Sequence, residues 1–218
     1  MSFIVAIDGP AGSGKGTVAK LISKDLGFVN IDTGATFRCV ALAMLQKNIK
    51  KEDEEEIEKI LKNIKIDMES DGTILLDGKI VTDRIRENDV NELVSPISTI
   101  KIVREKLLEI QRNIANGKNV VMEGRDIGTV VFPDADVKIY LDASAEERAR
   151  RRLKQNEEKG IKSSYEEVLK NIKDRDKRDS TREIAPLKKA NDAILIDSTN
   201  LEINEVVKAI EEIIEKVK

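Results

Sequence analysis

The chain has no histidine, no tryptophan and only one cysteine among its 218 residues. Without histidine, Ser-His-Asp triads, histidine metal sites and imidazole bases are excluded. The single thiol, Cys39, can neither close an internal disulfide nor build a thiolate zinc cluster, and it fits a reducing compartment. With no imidazole to activate it, Cys39 reads as a packed thiol on a helix rather than a nucleophile. Aromatic residues make up 3% of the chain, too few for a platform that stacks single-stranded nucleic acid. No stretch approaches the ~20 apolar residues that span a bilayer. The segment MSFIVAIDGP leads into a strand and a motif, with no basic stretch or cleavage site. A cytoplasmic protein without nucleic-acid or membrane partners is the expectation.

What is present is a patterned, charged, core-forming sequence. Hydrophobic residues are 40% and charged residues 36%, with a net charge of −3. The apolar share fills a core and excludes global disorder. The charge is unevenly spread. Between Glu146 and Lys189, 15 Lys and Arg stand against 10 Asp and Glu in an otherwise acidic chain. A basic segment of this kind suits an anionic ligand, or else a solvated helix face.

Five short aliphatic runs read as strands: Phe3–Asp8, Phe28–Asp32, Asn119–Glu123, Val137–Asp142 and Ala193–Asp197. Several are apolar on both faces, the pattern of parallel strands covered by helices. Helical segments fall at Gly14–Leu26, Ala35–Gln46, Thr99–Ala115 and Leu201–Val217, the third ending at Asn116-Gly117. Ser144-x-x-Glu147 and Ser164-x-x-Glu167 are capping boxes that open two more. Alternating strands and helices predict an α/β fold with a parallel sheet. One segment, about Glu52–Arg86, departs from this. A short charged helix is followed by strand-like pieces at Ile64–Met68, Thr73–Leu76 and Lys79–Thr82, parted by turn signals at Ser70-Asp71-Gly72 and Asp77-Gly78. This predicts an inserted lobe with a small antiparallel sheet.

The strongest motif is Gly9-Pro10-Ala11-Gly12-Ser13-Gly14-Lys15-Gly16-Thr17. It follows a strand and opens a helix, the setting a phosphate loop requires. Its glycines let backbone N–H groups turn inward, and the helix N-terminus adds partial positive charge. Lys15 supplies a point charge to the β and γ phosphates of a nucleotide. Gly16 occupies the usual hydroxyl position, which leaves Thr17 as the candidate metal ligand and the rest of the metal shell undefined.

Such a loop fixes the phosphoryl donor but leaves the acceptor open. Downstream stand Asp32-Thr33-Gly34-Ala35-Thr36-Phe37-Arg38 and Glu123-Gly124-Arg125-Asp126, each at a strand's C-terminal end, where open α/β sheets bind ligands. For Arg125 and Asp126 the plain alternative is a surface salt bridge. A hydroxyl acceptor would need a carboxylate base, for which Asp32 or Glu123 could serve. A kinase for UMP or a metabolite, or a non-enzymatic nucleotide switch, stays open on these residues alone.

GPAGSGKGT, DTGATFR, EGRDIGTVVFPDADVKIYLDAS and the segment from KRDSTREIAPLKKA to DAILIDST together resemble bacterial cytidylate kinases, in order and over essentially the whole chain. The resemblance implies a P-loop kinase core with a five-stranded parallel sheet, an enlarged NMP-binding lobe and a short helical lid. It places the core at 1–34, 116–146 and 185–218, the lobe at about 35–115 and the lid at about 147–162. It implies γ-phosphoryl transfer from ATP to CMP or dCMP with Mg²⁺, by a monomer. Carried over by position, it sets Arg38, Arg125 and Arg182 around the CMP phosphate. Ser95, Arg104 and Asp126 then face cytosine, and Arg175 and Asp179 face the ribose, with Thr33 and Phe37 beside the nucleotide. Arg151 and Arg152 of the lid face the ATP phosphates. Lys15, Arg125, Arg151 and Arg182 would carry catalysis. Phe37 stands where many members have Tyr, and Ala11 where some have Ser. The residue types suit the base: a carboxylate takes the N4 hydrogens of cytosine and a guanidinium serves its acceptors.

Overall fold

The computed structural model describes residues 2–69, 71–158 and 160–218. In chain order the elements are β1 (Ile4–Asp8), α1 (Lys15–Leu26), β2 (Val29–Asp32), α2 (Thr33–Gln46), α3 (Glu54–Asn63), β3 (Ile66–Met68), β4 (Ile74–Leu76), β5 (Lys79–Ile80), α4 (Asn88–Ile97), α5 (Lys101–Ala115), β6 (Val120–Gly124), β7 (Val137–Asp142), α6 (Ala145–Glu158), α7 (Tyr165–Thr181), β8 (Ile194–Asp197) and α8 (Ile203–Val217). A single 3₁₀ turn covers Arg84–Arg86 and a π-helical turn covers Ile127–Val131.

All five expected core strands join one parallel sheet in the order β2-β6-β1-β7-β8. β1 lies at the centre because Val5, Ala6 and Ile7 have no solvent exposure and must be covered on both faces. One apolar layer, with Val18, Ile22, Val206 and Ile210, covers one face. A larger layer runs from Ala6, Ile31 and Met122 through Cys39, Val40 and Leu107 into the inserted lobe. The two layers hold the C-terminal ends of β1, β2 and β6 in register (Asp8 beside Gly124, Asp32 beside Glu123), and the motifs leave the sheet there.

Local chemistry sets most boundaries. Asp32 caps α2 by accepting the Ala35 N–H at 3.0 Å, so the helix begins two residues before the expected Ala35. Ser164 and Glu167 form the full expected capping box on α7. The Ser144 box is only half formed. Ser144 Oγ accepts from Glu147 N–H, but the Glu147 carboxylate is taken by Arg150 and Arg151, and Ser144 N–H donates to Thr199. β3, β4 and β5 form the expected antiparallel sheet. Asp77 and Gly78 both adopt positive φ (50° and 79°), the type I′ combination a two-residue hairpin needs. Ser70 of the other turn and Lys159 of the expected lid lie outside the described residues.

One helix was not expected. α4 packs Val90, Val94 and Ile97 inward at helical spacing, and it contains Pro96. It also corrects the start of α5. Thr99 hydroxyl donates to Pro96 O at 2.8 Å, closing α4, and the next helix starts only at Lys101.

Candidate active site

The segment 9–17 wraps from the end of β1 into α1. Gly9 has φ 152°, and a Cβ there would fall 2.0 Å from the Leu141 carbonyl oxygen, so β7 leaves room for glycine alone. Lys15, the first residue of α1, is buried, and its Nζ donates to Pro10 O at 2.8 Å. Burial lowers its pKa from the usual lysine range to about 7, with Arg125 adding repulsion, while Glu123 and Asp8 act in the opposite direction. Glu123, at the end of β6, faces Gly16 of the loop. Burial and the nearby Asp32 charge raise its pKa to about 7.

Opposite the loop lies a cluster of guanidiniums and carboxylates. Arg104 of α5 and Asp126 form a short ion pair, both groups being buried. Arg104 also donates to Ser98 O at 3.1 Å and sits 5.5 Å from the centroid of the Phe37 ring. Arg182 approaches the other oxygen of Asp126 at 3.5 Å and donates to Ala185 O at 2.6 Å. Arg125 Nε donates to Asp179 at 2.9 Å, while Arg175 Nε stays 4.0 Å from that carboxylate. Arg125 and Asp126 thus do not pair with each other; each reaches a partner far away in sequence. Arg38 lies 3.3 Å from Asp32. Burial, followed by Arg125 repulsion, lowers the Arg175 pKa to about 10. Arg175 Nε and Arg182 Nη2 are buried without a hydrogen-bond partner.

The two groups of residues line one cleft of about 1580 Å³. That exceeds the roughly 300–1,000 Å³ of a single small-ligand pocket and leaves room for two nucleotides. Ala11 through Thr17, Thr33, Phe37, Arg38, Ser95, Arg104, Arg125, Asp126, Arg151, Arg152, Arg175, Asp179 and Arg182 all reach its wall, whereas Gly9 and Pro10 stay behind it. Arg151 is already engaged: it donates to Ser198 O at 2.6 Å and to Glu147 at 3.1 Å. Two buried groups that the sequence reading overlooked shape the site. Asp8, at the end of β1, accepts the N–H groups of Ile127 and Gly128, each at 2.8 Å, and so caps the turn that follows Asp126. Burial, only partly offset by those bonds, raises its pKa to about 6. Arg148, expected at the start of the lid, is buried and holds the phosphate loop from behind through Ala11 O at 3.0 Å. Its helical phase beside Ala149 and Leu153, which face inward, was the available signal.

A parallel sheet with a phosphate loop after its central strand, facing an arginine-rich second half of the same cleft, defines a P-loop kinase. Shikimate kinase from Bacteroides thetaiotaomicron shares the fold, with a TM-score of 0.50, 12% identity and 98% of each chain covered. A protein from Eubacterium ventriosum shares it with a TM-score of 0.55 at 13% identity, covering 98% of this chain and 99% of that one. Sequence comparison is sharper. The family model described as Cytidylate kinase matches residues 5–217. The cytidylate kinase of Fusobacterium nucleatum subsp. nucleatum is 56% identical over 100% of this chain and 99% of its own. That of Caldicellulosiruptor saccharolyticus is 50% identical over 98% and 96%, and that of Thermotoga neapolitana 46% over 99% and 98%. The chain belongs to the cytidylate kinase family. Among the described residues no helix is long and apolar enough to cross a membrane.

Proposed function

We propose that the chain transfers the γ-phosphoryl group of ATP to CMP or dCMP, giving ADP and CDP or dCDP. The phosphate loop, with Lys15, holds the ATP phosphates. Arg38, Arg125 and Arg182 hold the acceptor phosphate, Arg175 and Asp179 the ribose, and Ser95, Arg104 and Asp126 the cytosine, with Thr33 and Phe37 alongside. Arg151 and Arg152 of the lid approach the ATP phosphates, Arg151 from beside the loop, where its Nη1 stands 4.0 Å from a Cβ built on Gly14 and its bonds to Ser198 and Glu147 hold it. The division into core, lobe and lid, the monomeric state and a cytoplasmic location belong to the same proposal.

The observation that carries this reading is the charge of the acceptor half. Among the described residues, Arg104, Arg125, Arg175 and Arg182 make ion pairs only with Asp126 and Asp179, and two of the guanidinium nitrogens have no hydrogen-bond partner. A phosphate monoester carries about −1.5 to −2 at pH 7 and three strong acceptor oxygens. It matches both the surplus charge and the free donors. The same ionisation explains catalysis without histidine. The attacking oxygen is already anionic above its second pKa of about 6, so no protein base has to remove a proton. The chain contributes alignment and charge neutralisation.

Mg²⁺ fits this donor set in a limited way. No group of three acidic, thiol or imidazole ligands exists among the described residues. The Thr17 hydroxyl on α1 and the Glu123 carboxylate by Gly16 are oxygen donors beside the loop. Mg²⁺ is commonly held by one or two protein groups plus nucleotide phosphates and water, and when bound it neutralises phosphate charge. The test is ADP release from ATP with CMP, dCMP, UMP, AMP or no acceptor. CMP and dCMP should support turnover at least roughly tenfold better than UMP, because an unpaired buried acceptor costs ~1–3 kcal/mol. Equal rates with every acceptor would refute the assignment.

A further inference from the structure

Arg148 differs from its neighbours in the basic run of α6. Arg150, Arg151 and Arg152 all line the cleft, whereas Arg148 is 5% exposed and is not among the lining residues. Its guanidinium donates in three directions: to Ala143 O at 2.9 Å, to Ala11 O at 3.0 Å and to Asp176 Oδ2 at 2.6 Å. These acceptors lie on the β7–α6 junction, the phosphate loop and α7. A Cβ added at Gly12 would stand 3.3 Å from Arg148 Cβ, so the loop backbone also packs on the stem of this side chain. Asp176 adjoins Arg175 and lies three residues before Asp179, both on the acceptor side of the cleft. One planar, permanently charged group therefore spans the donor loop and the helix that faces the acceptor.

The contact with α7 also has a second arrangement open to it. Asp176 Oδ1 is buried and has no hydrogen-bond partner. Only one of the two parallel bonds of a guanidinium–carboxylate fork is made. A small shift of α7 against α6 can complete the fork. Coupling between sites requires an element with discrete alternatives that both ligands bias.

We propose that Arg148, acting through Asp176, is a positioning residue that couples the two halves of the cleft. Filling the phosphate loop strengthens acceptor binding, and acceptor binding strengthens donor binding by the same factor, as linkage demands. The proposal rests on the assignment of CMP to the acceptor half.

The test is calorimetric. The Kd of CMP is measured with and without saturating β,γ-methylene-ATP, a donor that cannot transfer its phosphoryl group, for the unaltered chain, Arg148→Lys and Asp176→Asn. Both variants nearly conserve volume; Lys keeps the charge without the fork, and Asn removes the charge. The unaltered chain should bind CMP about fivefold or more tightly when the analogue is present, the lower end of typical coupling. Both variants should bring that ratio to within about twofold of one, with the Kd for CMP alone changed less than about threefold. A ratio preserved in both variants overturns the proposal, as does equal weakening of CMP with and without the analogue, which is what a packing role predicts. CMP binding by the unaltered chain with no effect of the analogue refutes the coupling alone. No CMP binding by the unaltered chain refutes the functional assignment beneath it.

Discussion

In the donor half of the cleft, residues 9–17 offer backbone N–H groups, a helix N-terminus and one buried cation, Lys15. In the acceptor half the work falls to side chains: Arg104 from α5, Arg125 and Asp126 after β6, and Arg175, Asp179 and Arg182 from α7 and its end. The donor half is contiguous and nearly free of carboxylates, so it suits any polyphosphate. The acceptor half is assembled from residues far apart in the chain, with Arg38 and Arg182 separated by 144 positions, and interleaves both signs of charge. On the proposed assignment the difference separates binding of phosphate from selection of a base, and only the half built from opposed charges presents a carboxylate to a base edge.

The largest effect should come from the donor half. Lys15→Ala should lower kcat by about 100- to 1,000-fold, since it removes charge aimed at the transferring group. Far-UV circular dichroism should remain native, and turnover with CMP, dCMP and UMP should fall by a common factor, because the acceptor half is untouched. Undiminished kcat in a folded variant would remove Lys15 from the chemistry.

Next comes the acceptor half. Asp126→Ala leaves the buried Arg104 and the half-buried Arg182 with no other carboxylate within ion-pair range among the described residues, and breaking a buried pair costs ~3–5 kcal/mol. Chemical denaturation should register that loss. kcat/KM for CMP should fall far more than for UMP, narrowing the CMP preference from at least roughly tenfold toward parity. A common factor for both bases would mean that Asp126 only orders the loop, and the two halves would then differ in architecture without differing in selectivity.

A smaller and sharper effect concerns pH. The Asp8 pKa is raised from the usual carboxylate value of 3.8 to about 6, so the folded state holds its proton longer than the unfolded state. Its contribution to stability is therefore full below about 3.8 and lost as pH rises through about 6. Glu123 acts in the same sense up to about 7. Activity moves the other way, because the acceptor phosphate ionises near ~6. Melting temperature measured from pH 4 to 7 should fall while kcat/KM rises. Asp8→Asn should be less stable than the parent at pH 4, with the deficit shrinking by pH 7. A deficit independent of pH would show that Asp8 does not titrate in this window.

The smallest effect lies away from both halves. Cys39 has no solvent exposure, and burial raises its pKa to about 12. Thiol reagents at pH 8 should not react until denaturant is added, and rapid labelling of the native protein would contradict the packing described for α2.

The strands were legible because a parallel strand covered on both faces is an unbroken aliphatic run; Val137–Asp142 matches its expected limits and the other four shift by about a residue. The phosphate loop was legible because its function rests on the backbone of adjacent residues. α4 was not, because Pro96 masks a helix held together by the burial of Val90, Val94 and Ile97. The partners of Arg125 and Asp126 were not, because local spacing carries no information about an aspartate 54 positions away or an arginine 22 positions away. Their assignment came from family resemblance, and the cleft brings the same residues together. Arg148 shows the reverse failure: in a run rich in arginine, composition cannot tell the one that turns inward.

The central place of β1 has a consequence for how the chain acquires its structure. β1 has only two neighbours in the sheet, β6 and β7, and they begin at residues 120 and 137. Strand pairing across so long a separation carries a loop-closure cost that helices and hairpins escape. On a ribosome, α3 and the β3–β4–β5 hairpins complete their contacts among nearby residues while β1 still lacks both partners. The nucleotide-binding loop, first in sequence, is then among the last parts to become ordered, and a released fragment of residues 1–115 should protect the inserted lobe from proteolysis while leaving β1 open to it.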